Sequence, residues 1–247
     1  MYQKHPEFEE PKDEEIKLWR YLDFTKFVSY LDKKALFFTR ADKLDDRFEG
    51  KFTDADIKRW KDVLKIKRKT EKIEILNGFR KVINISSWHI NEYESAAMWK
   101  LYLTSKEGVA IQSTFKRLKD SFKVNTVDEI FIGSVKYIDY EKDSISEGNI
   151  FNPFLYKRKS FEHEKELRAI IMKFALAEQT KGKHILYVDP EWIGNYVKSD
   201  LRVLIENIVV SPTAPDWFAE LIRSIMNKYG LIDIDIKQSD LTKDPLY

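Results

Sequence analysis

Residues 18–39 read LWRYLDFTKFVSYLDKKALFFT, and this stretch carries the first decision about the fold. Leu18-Trp19-Arg20-Tyr21 has the aromatic-rich habit of a short strand. A helix is expected near Thr25 to Asp32, and Ala35-Leu36-Phe37-Phe38-Thr39 returns as a second strand. The pattern recurs downstream. Val82 to Trp88 predicts a strand, Ser95 to Leu103 a helix, and Gly108 to Ser113 another strand. Ser134–Tyr140 and Leu167–Phe174 are expected as strands, with shorter ones at Ile185–Val188 and Ile208–Val210. Thr213-Ala214-Pro215-Asp216 punctuates a helix start, with Thr213 as its cap and Phe218, Leu221, Ile222, Ile225 and Tyr229 as its apolar stripe; Gly230 stops it. Ile232, Ile234 and Ile236 then alternate with polar residues, the mark of a closing edge strand. Strands and helices mixed in this way predict an α+β fold. Its mixed or antiparallel sheets form a central cleft flanked by helices.

The 247 residues are read as one domain, 1–247, because the 8 glycines and 7 prolines are scattered and mark no linker. Residues 1–16 are expected to form a flexible arm. The chain has no cysteine, which excludes a disulfide scaffold, a thiolate metal site and a thiol nucleophile, and fits a reducing compartment. The N-terminal residues are charged, and no run reaches the roughly 20 apolar residues that span a bilayer. A cytoplasmic protein with no membrane partner is therefore expected. With 43 basic and 41 acidic residues, the charge balance gives no general drive toward nucleic acid. The local exception is Lys58–Lys72, rich in lysine and arginine. Trp60, Val63 and Leu64 share that stretch at helical spacing, so it reads first as an amphipathic helix with a solvated basic face, able at most to make weak nucleic-acid contacts.

The chemistry-bearing stretch is Phe161-Glu162-His163-Glu164-Lys165-Glu166-Leu167-Arg168. Strand periodicity would put Glu164, Glu166 and Arg168 on one face, neighbours roughly 6–7 Å apart. A carboxylate beside a like charge is pushed up in pKa, while an arginine holds another ionised. That combination suits acid/base or cation-stabilising work; a row of solvated surface charges is the plainer alternative. His163, with His89 and His184 elsewhere, has no metal-ligand spacing and reads as a surface histidine, so no metal is expected. Trp99 and Tyr102, at i and i+3 beside Met98 and Leu101, read mostly as core, with one edge available to the cleft.

A resemblance extends this reading. The succession Leu18-Trp19-Arg20-Tyr21, Ala35-Leu36-Phe37-Phe38, Leu44-Asp45-Asp46-Arg47-Phe48-Glu49-Gly50, Ser86-Ser87-Trp88, Met98-Trp99-Lys100-Leu101-Tyr102 and Glu164-Lys165-Glu166-Leu167-Arg168 resembles a bacterial and phage family allied to AbiGi-type abortive-infection proteins. The chain departs from that pattern at Asp45 and Arg47, where asparagine and proline are usual, and keeps Asp46. The order Arg20, Ser87, Glu166 is in turn similar to the Arg-Ser-Glu order of ADP-ribosyltransferases, though the chain lacks their complete Ser-Thr-Ser signature. That resemblance implies an NAD-consuming phage-defence enzyme. Arg20 would bind NAD, Ser87 would orient Glu166, Glu166 would stabilise the ribosyl cation, and Glu164 would address a protein or nucleic-acid acceptor. Tyr21, Trp88 or Phe38 would stack on the nicotinamide, and Arg168 would assist binding. Two other classes remain beside it: a nuclease or RNA-end-processing enzyme using the acidic pair and the basic helix, and a non-catalytic sensor or partner of a toxin system, anchored by some of the 28 phenylalanines and tyrosines.

Overall fold

The computed structural model describes residues 1–63, 66–124, 128–173, 179–180, 183–184 and 191–245. The first strand, β1 (Lys17–Asp23), runs directly into α1 (Phe24–Lys33) and returns as β2 (Ala35–Arg40). Lys34 makes the reversal in the left-handed region, φ 48°, donating its N–H to Leu31 and Tyr30 carbonyls as a helix C-cap. Helices α2 (Asp54–Val63) and α3 (Ile66–Phe79) lead to β3 (Ile83–Ile90), then α4 (Ala96–Tyr102), β4 (Gly108–Thr114) and α5 (Phe115–Ser121). Next come β5 (Phe131–Ser134), β6 (Lys136–Ile138), β7 (Tyr156–Arg158) and β8 (Glu166–Met172). The chain closes with β9 (Gln179–Thr180), β10 (Lys183–His184), β11 (Gly194–Lys198), α6 (Leu201–Leu204), β12 (Asn207–Val210), α7 (Asp216–Lys228) and β13 (Asp235–Gln238).

Nine of these strands form one mixed sheet, antiparallel except where β13 runs parallel beside β12. An α+β fold is therefore present. The order is β11-β2-β3-β1-β4-β12-β13, with β8 also on β3 and β5 on β8. β3 is the organising strand. One edge pairs with β8 from Ile83 to His89. Its other edge is divided: β2 takes Asn84 and Ile85, and β1 takes His89 and Ile90. The sheet thus forks at Ser86–Trp88.

Period-two alternation sorts the side chains into two layers. Leu18, Leu22, Leu36, Phe38, Trp88, Leu167 and Ile171 face the main core, closed by Phe27 and Leu31 of α1, Phe115 and Leu118 of α5 and Phe218, Ile222 and Met226 of α7. On the opposite face Ile83, Ile85 and Ile170 pack with Phe8, Phe151, Phe154 and Leu155. Trp19 and Tyr21 share that opposite face and pack with Met98 and Trp99 of α4.

Several expectations are corrected. The strand expected over Ser134–Tyr140 is broken at Val135, whose N–H goes to the Glu166 carbonyl, leaving β5 and β6 in different sheets. Thr213 does not cap α7: Pro215 holds the N-cap position without a side-chain bond, and Thr213 Oγ1 lies 3.0 Å from Ser211 Oγ. The edge strand begins only at Asp235, and Ile232 is exposed. The expected strand at Ile185–Val188 lies outside the described residues, as does Phe174. Residues 1–16, expected as a flexible arm, lie along the sheet. Tyr2 bridges to Ile130, Gln3 donates to the Ile130 carbonyl, and Phe8 is buried in the second layer. Of the basic stretch, Trp60 is buried and donates Nε1–H to Glu147 at 2.6 Å; the side chains of residues 61–72 lie outside the described ones.

Candidate functional site

Lys159–Glu164 is a turn of 3₁₀ helix, and Lys165 follows at φ 40°, so β8 starts only at Glu166. This corrects the expected strand row. A left-handed residue without the freedom of glycine is held there by its surroundings. Lys165 donates its N–H to Glu162, and its carbonyl accepts from Ile90. The bend has a chemical result. Rather than standing in line along a strand, Glu164 and Glu166 converge on one cation, Lys157 of β7, whose Nζ is 2.5 Å from Glu164 Oε2 and 3.5 Å from Glu166 Oε2.

Glu166 is buried, 5 % exposed, and is gripped in two places. Arg168 Nε donates to Oε1 at 2.8 Å and Nη2 to Oε2 at 2.9 Å, and the Ser87 hydroxyl acts on the same carboxylate to lower its pKa. Its backbone N–H goes to the Tyr137 hydroxyl at 2.8 Å. Arg168, 1 % exposed, spends its remaining donors on both oxygens of Glu49 and, at 2.7 Å, on the Phe154 carbonyl. A guanidinium has five N–H groups, and all five are used. Arg168 is therefore a buried organiser of the carboxylates with no donor left for a ligand, which corrects its expected place among the binding residues.

The loop Asp46–Gly50 delivers Glu49. Asp46 accepts from the Phe48 N–H at 3.0 Å and pairs with Arg158 at 2.8 Å, and the Arg158 guanidinium lies 4.3 Å from the centre of the Phe48 ring. Gly50 stands at φ 67°, and a Cβ there would overlap the Phe154 ring. Glycine is required at that point on both counts.

These contacts push the two carboxylates apart. Burial acts to raise Glu166, but the charges of Arg168 and Lys157 and the bonds from Arg168 and Ser87 outweigh it and hold the group well below its ordinary value. Glu164 moves the other way: burial raises it, Glu166 adds to the rise, and Lys157 only partly offsets them. Lys157 itself is raised, the attraction of Glu166 and Glu164 exceeding the cost of its burial. In the buried cluster itself three carboxylates (Glu49, Glu164, Glu166) meet two cations (Lys157, Arg168).

Arg20 reaches the backbone of Ser87 at the fork in the sheet. The edge of β3 between β1 and β2 leaves the Ser87 carbonyl without a strand partner, and Arg20 Nη1 donates to it; Nε donates to the Tyr30 hydroxyl at 3.1 Å. Its guanidinium lies 5.8 Å from the centres of both the Tyr30 and Trp88 rings. Of the three residues expected together from their order in the chain, Arg20 is hydrogen-bonded to the Ser87 backbone, and Ser87 contributes to lowering Glu166.

The expected aromatic platforms are elsewhere. Phe38 is fully buried in the main core, 6.1 Å from Phe122. Trp88 is buried beneath Arg20, and Tyr21 is buried against Trp99 at 4.8 Å with its hydroxyl accepting from the Ser95 N–H. None of the three presents a free face. The aromatic side chains in contact with the cluster are Phe161, whose ring centre is 4.7 Å from Lys157 Nζ, and Tyr137, both partly exposed; Tyr102, at the end of α4, is 42 % exposed. His163 is exposed, whereas His89 is buried and its Nδ1–H donates to the Glu164 carbonyl at 2.6 Å.

Sequence reasoning did not assign Glu49, Lys157 or Tyr137 to the site. Glu49 was within reach, since it sits in the Phe48-Glu49-Gly50 loop already singled out; Lys157 and Tyr137 carry no local signal. Among the described residues no group of three His, Asp or Glu side chains is arranged to hold a metal ion, and no helix is long and apolar enough to cross a membrane. No family model, no curated protein and no solved structure matches this chain.

Proposed function

We propose that the chain is an NAD-consuming enzyme that transfers ADP-ribose to an acceptor or to water. One observation carries this reading: two adjacent carboxylates share Lys157, yet Glu166 is held ionised and Glu164 is pushed up. Neighbouring acids driven apart in this way divide into an electrostatic stabiliser and a proton-transfer group. In the proposed reaction the bond between ribose C1′ and the nicotinamide nitrogen breaks, and its electron pair leaves with the neutral nicotinamide. The ribosyl cation left behind faces the carboxylate of Glu166, fixed in place by Arg168, so no reorganisation is needed as charge develops. The acceptor hydroxyl, amine or water then bonds to C1′. Glu164, whose raised pKa makes it the stronger base of the pair, takes the proton. Arg20, partly exposed beyond Ser87, is the cation available to the diphosphate.

The test is nicotinamide release from NAD, with and without cell extract as a source of acceptor. Loss of one preorganised stabiliser typically costs ~10²-fold or more in turnover, and that is the expected effect of Glu166→Gln. Glu164→Gln is expected to impair transfer to acceptor more than simple hydrolysis. Wild-type protein that neither binds nor cleaves NAD would remove the proposal.

A further inference from the structure

We infer that the chain has a second binding site, on the other side of the sheet from the carboxylate cluster. The cavity between the C-terminal ends of α1 and α7 and the turn from β11 into α6 takes a small molecule with an apolar body and one anionic head group. Its volume is about 510 Å³, an ordinary size for a small-molecule site. It shares no residue with the cluster and does not depend on the ribosyl-transfer reading.

Three distant segments meet there. α1 stops at the left-handed Lys34, and the Ser199 N–H at the end of β11 donates to the Lys34 carbonyl at 3.2 Å, which ties strand end to helix end. α7 stops at Tyr229, and Gly230, at φ 73°, turns the chain so that Leu231 re-enters the main core. Leu31, Leu201 and Leu231, all buried, and the half-buried Tyr229 give the cavity its apolar lining. The three leucines belong to the core on the Trp88 and Leu167 face, whereas Glu166 and Arg168 alternate to the opposite face.

The polar lining is cationic. Lys34, Lys198 and Arg202 stand against Asp200. Asp200 accepts the N–H groups of Arg202 and Val203, and Arg202 itself is engaged by Asp233 and the Gly230 carbonyl. Counting Asp233, and with Lys33 balanced by its own Asp32, three cations face two carboxylates. Lys198 Nζ donates to the Lys33 carbonyl at 3.0 Å, which leaves two of its three N–H groups. The Lys34 ammonium has no partner among the described residues.

Ser199 gives a second, independent indication. It lines the cavity, is 4 % exposed, and its hydroxyl is buried with no hydrogen-bond partner. Buried polar groups are nearly always paired. This one belongs to a residue joined by sequence to Lys198 and by its backbone to Lys34, the two cations with N–H groups to spare. An anionic head group accepting from Ser199 Oγ and facing both lysines would satisfy all three, with its apolar body against the leucines.

β-Naphthoate and β-naphthamide share a ring system and nearly a shape, and differ in charge. Binding of each to the full chain is measured by calorimetry, with acetate as the head group alone. Wild type is expected to bind the acid about tenfold more tightly than the amide at low ionic strength, and the preference should shrink as salt rises. Acetate, which brings no comparable apolar area, should bind more weakly than naphthoate. Lys34→Gln and Ser199→Ala are each expected to cut the preference to about threefold or less. Because the Ser199 hydroxyl has no partner to lose, Ser199→Ala should melt at or above the wild-type temperature, so weaker binding there is not a loss of fold. Glu166→Gln, across the sheet, should bind naphthoate as wild type does. No saturable binding of naphthoate, equal affinity for acid and amide, acetate binding as tightly as naphthoate, an unchanged preference in Lys34→Gln or Ser199→Ala, or loss of binding in Glu166→Gln would each overturn the inference.

Discussion

Replacing Gly50 with alanine tests whether the Asp46–Gly50 loop positions the charge cluster. At φ 67° an alanine pays the left-handed penalty, about 1–2 kcal/mol. Its Cβ would also collide with Phe154, within the ring at Cε1 and at 2.8 Å from Cδ1. Phe154 is 1 % exposed and shares its layer with Phe151, Leu155 and Ile170, so its ring has nowhere to turn, and overpacking of that kind costs about 1–3 kcal/mol. Together the two effects come to about 2–5 kcal/mol. For a chain of this size each kcal/mol moves the melting temperature by about 2–4 °C, so the expected fall is on the order of 4–20 °C. The damage should reach the site as well, because the Phe154 carbonyl and Glu49 are both partners of Arg168, and Arg168 holds Glu166. Gly78→Ala is the matched control. Gly78 lies in the last turn of α3, where an added Cβ meets nothing within 4 Å, and alanine there gains at most the roughly 1 kcal/mol it has over glycine in a helix interior. The same change should therefore lower Tm at position 50 and leave it level or higher at position 78, read by thermal melts of the three proteins. A Gly50→Ala protein melting within about 2 °C of wild type would refute the argument that this glycine is required.

Acid should weaken the fold through Glu166. Its folded pKa lies below the unfolded one, so its contribution is fully present above the ordinary carboxylate range and is lost as pH falls through the depressed value; melts from pH 6 downward should show less pH dependence in Glu166→Gln than in wild type. Glu164 has the opposite sign: its raised folded pKa adds stability below the ordinary carboxylate range and loses it as pH rises through the folded value, so Glu164→Gln should flatten that part of the same profile. Asp200 accepts the N–H groups of Arg202 and Val203 at the start of α6, so Asp200→Ala should cost about 0.5–2 kcal/mol in denaturant unfolding, whereas Thr213→Ala, which removes no helix cap, should cost less. Tyr21→Phe leaves the Ser95 N–H without its acceptor and should cost about 1 kcal/mol while leaving NAD affinity unchanged; a weakened affinity would return Tyr21 to the ligand site.

The amino-acid sequence by itself determined the class of the fold and most of its elements, because periodicity and burial are local signals. The β1–α1–β2 opening is legible in residues 18–39, since the residues that alternate or recur there are those the sheet and helix bury. Glu164, Glu166, Arg20 and Ser87 were also legible as candidates, by residue type and order. The row expected along one strand was not the arrangement found, because a left-handed Lys165 turns Glu164 onto Lys157, and nothing in a lysine announces a positive φ. Only the tertiary structure could show that Arg168 is exhausted by Glu49, Glu166 and Phe154, or that Phe38, Trp88 and Tyr21 are enclosed. Strand alternation names two faces without saying what covers each. That is decided by elements from distant parts of the chain: α4 on one side, α1, α5 and α7 on the other, and the Asp46–Gly50 loop brought to β8 from more than a hundred residues away.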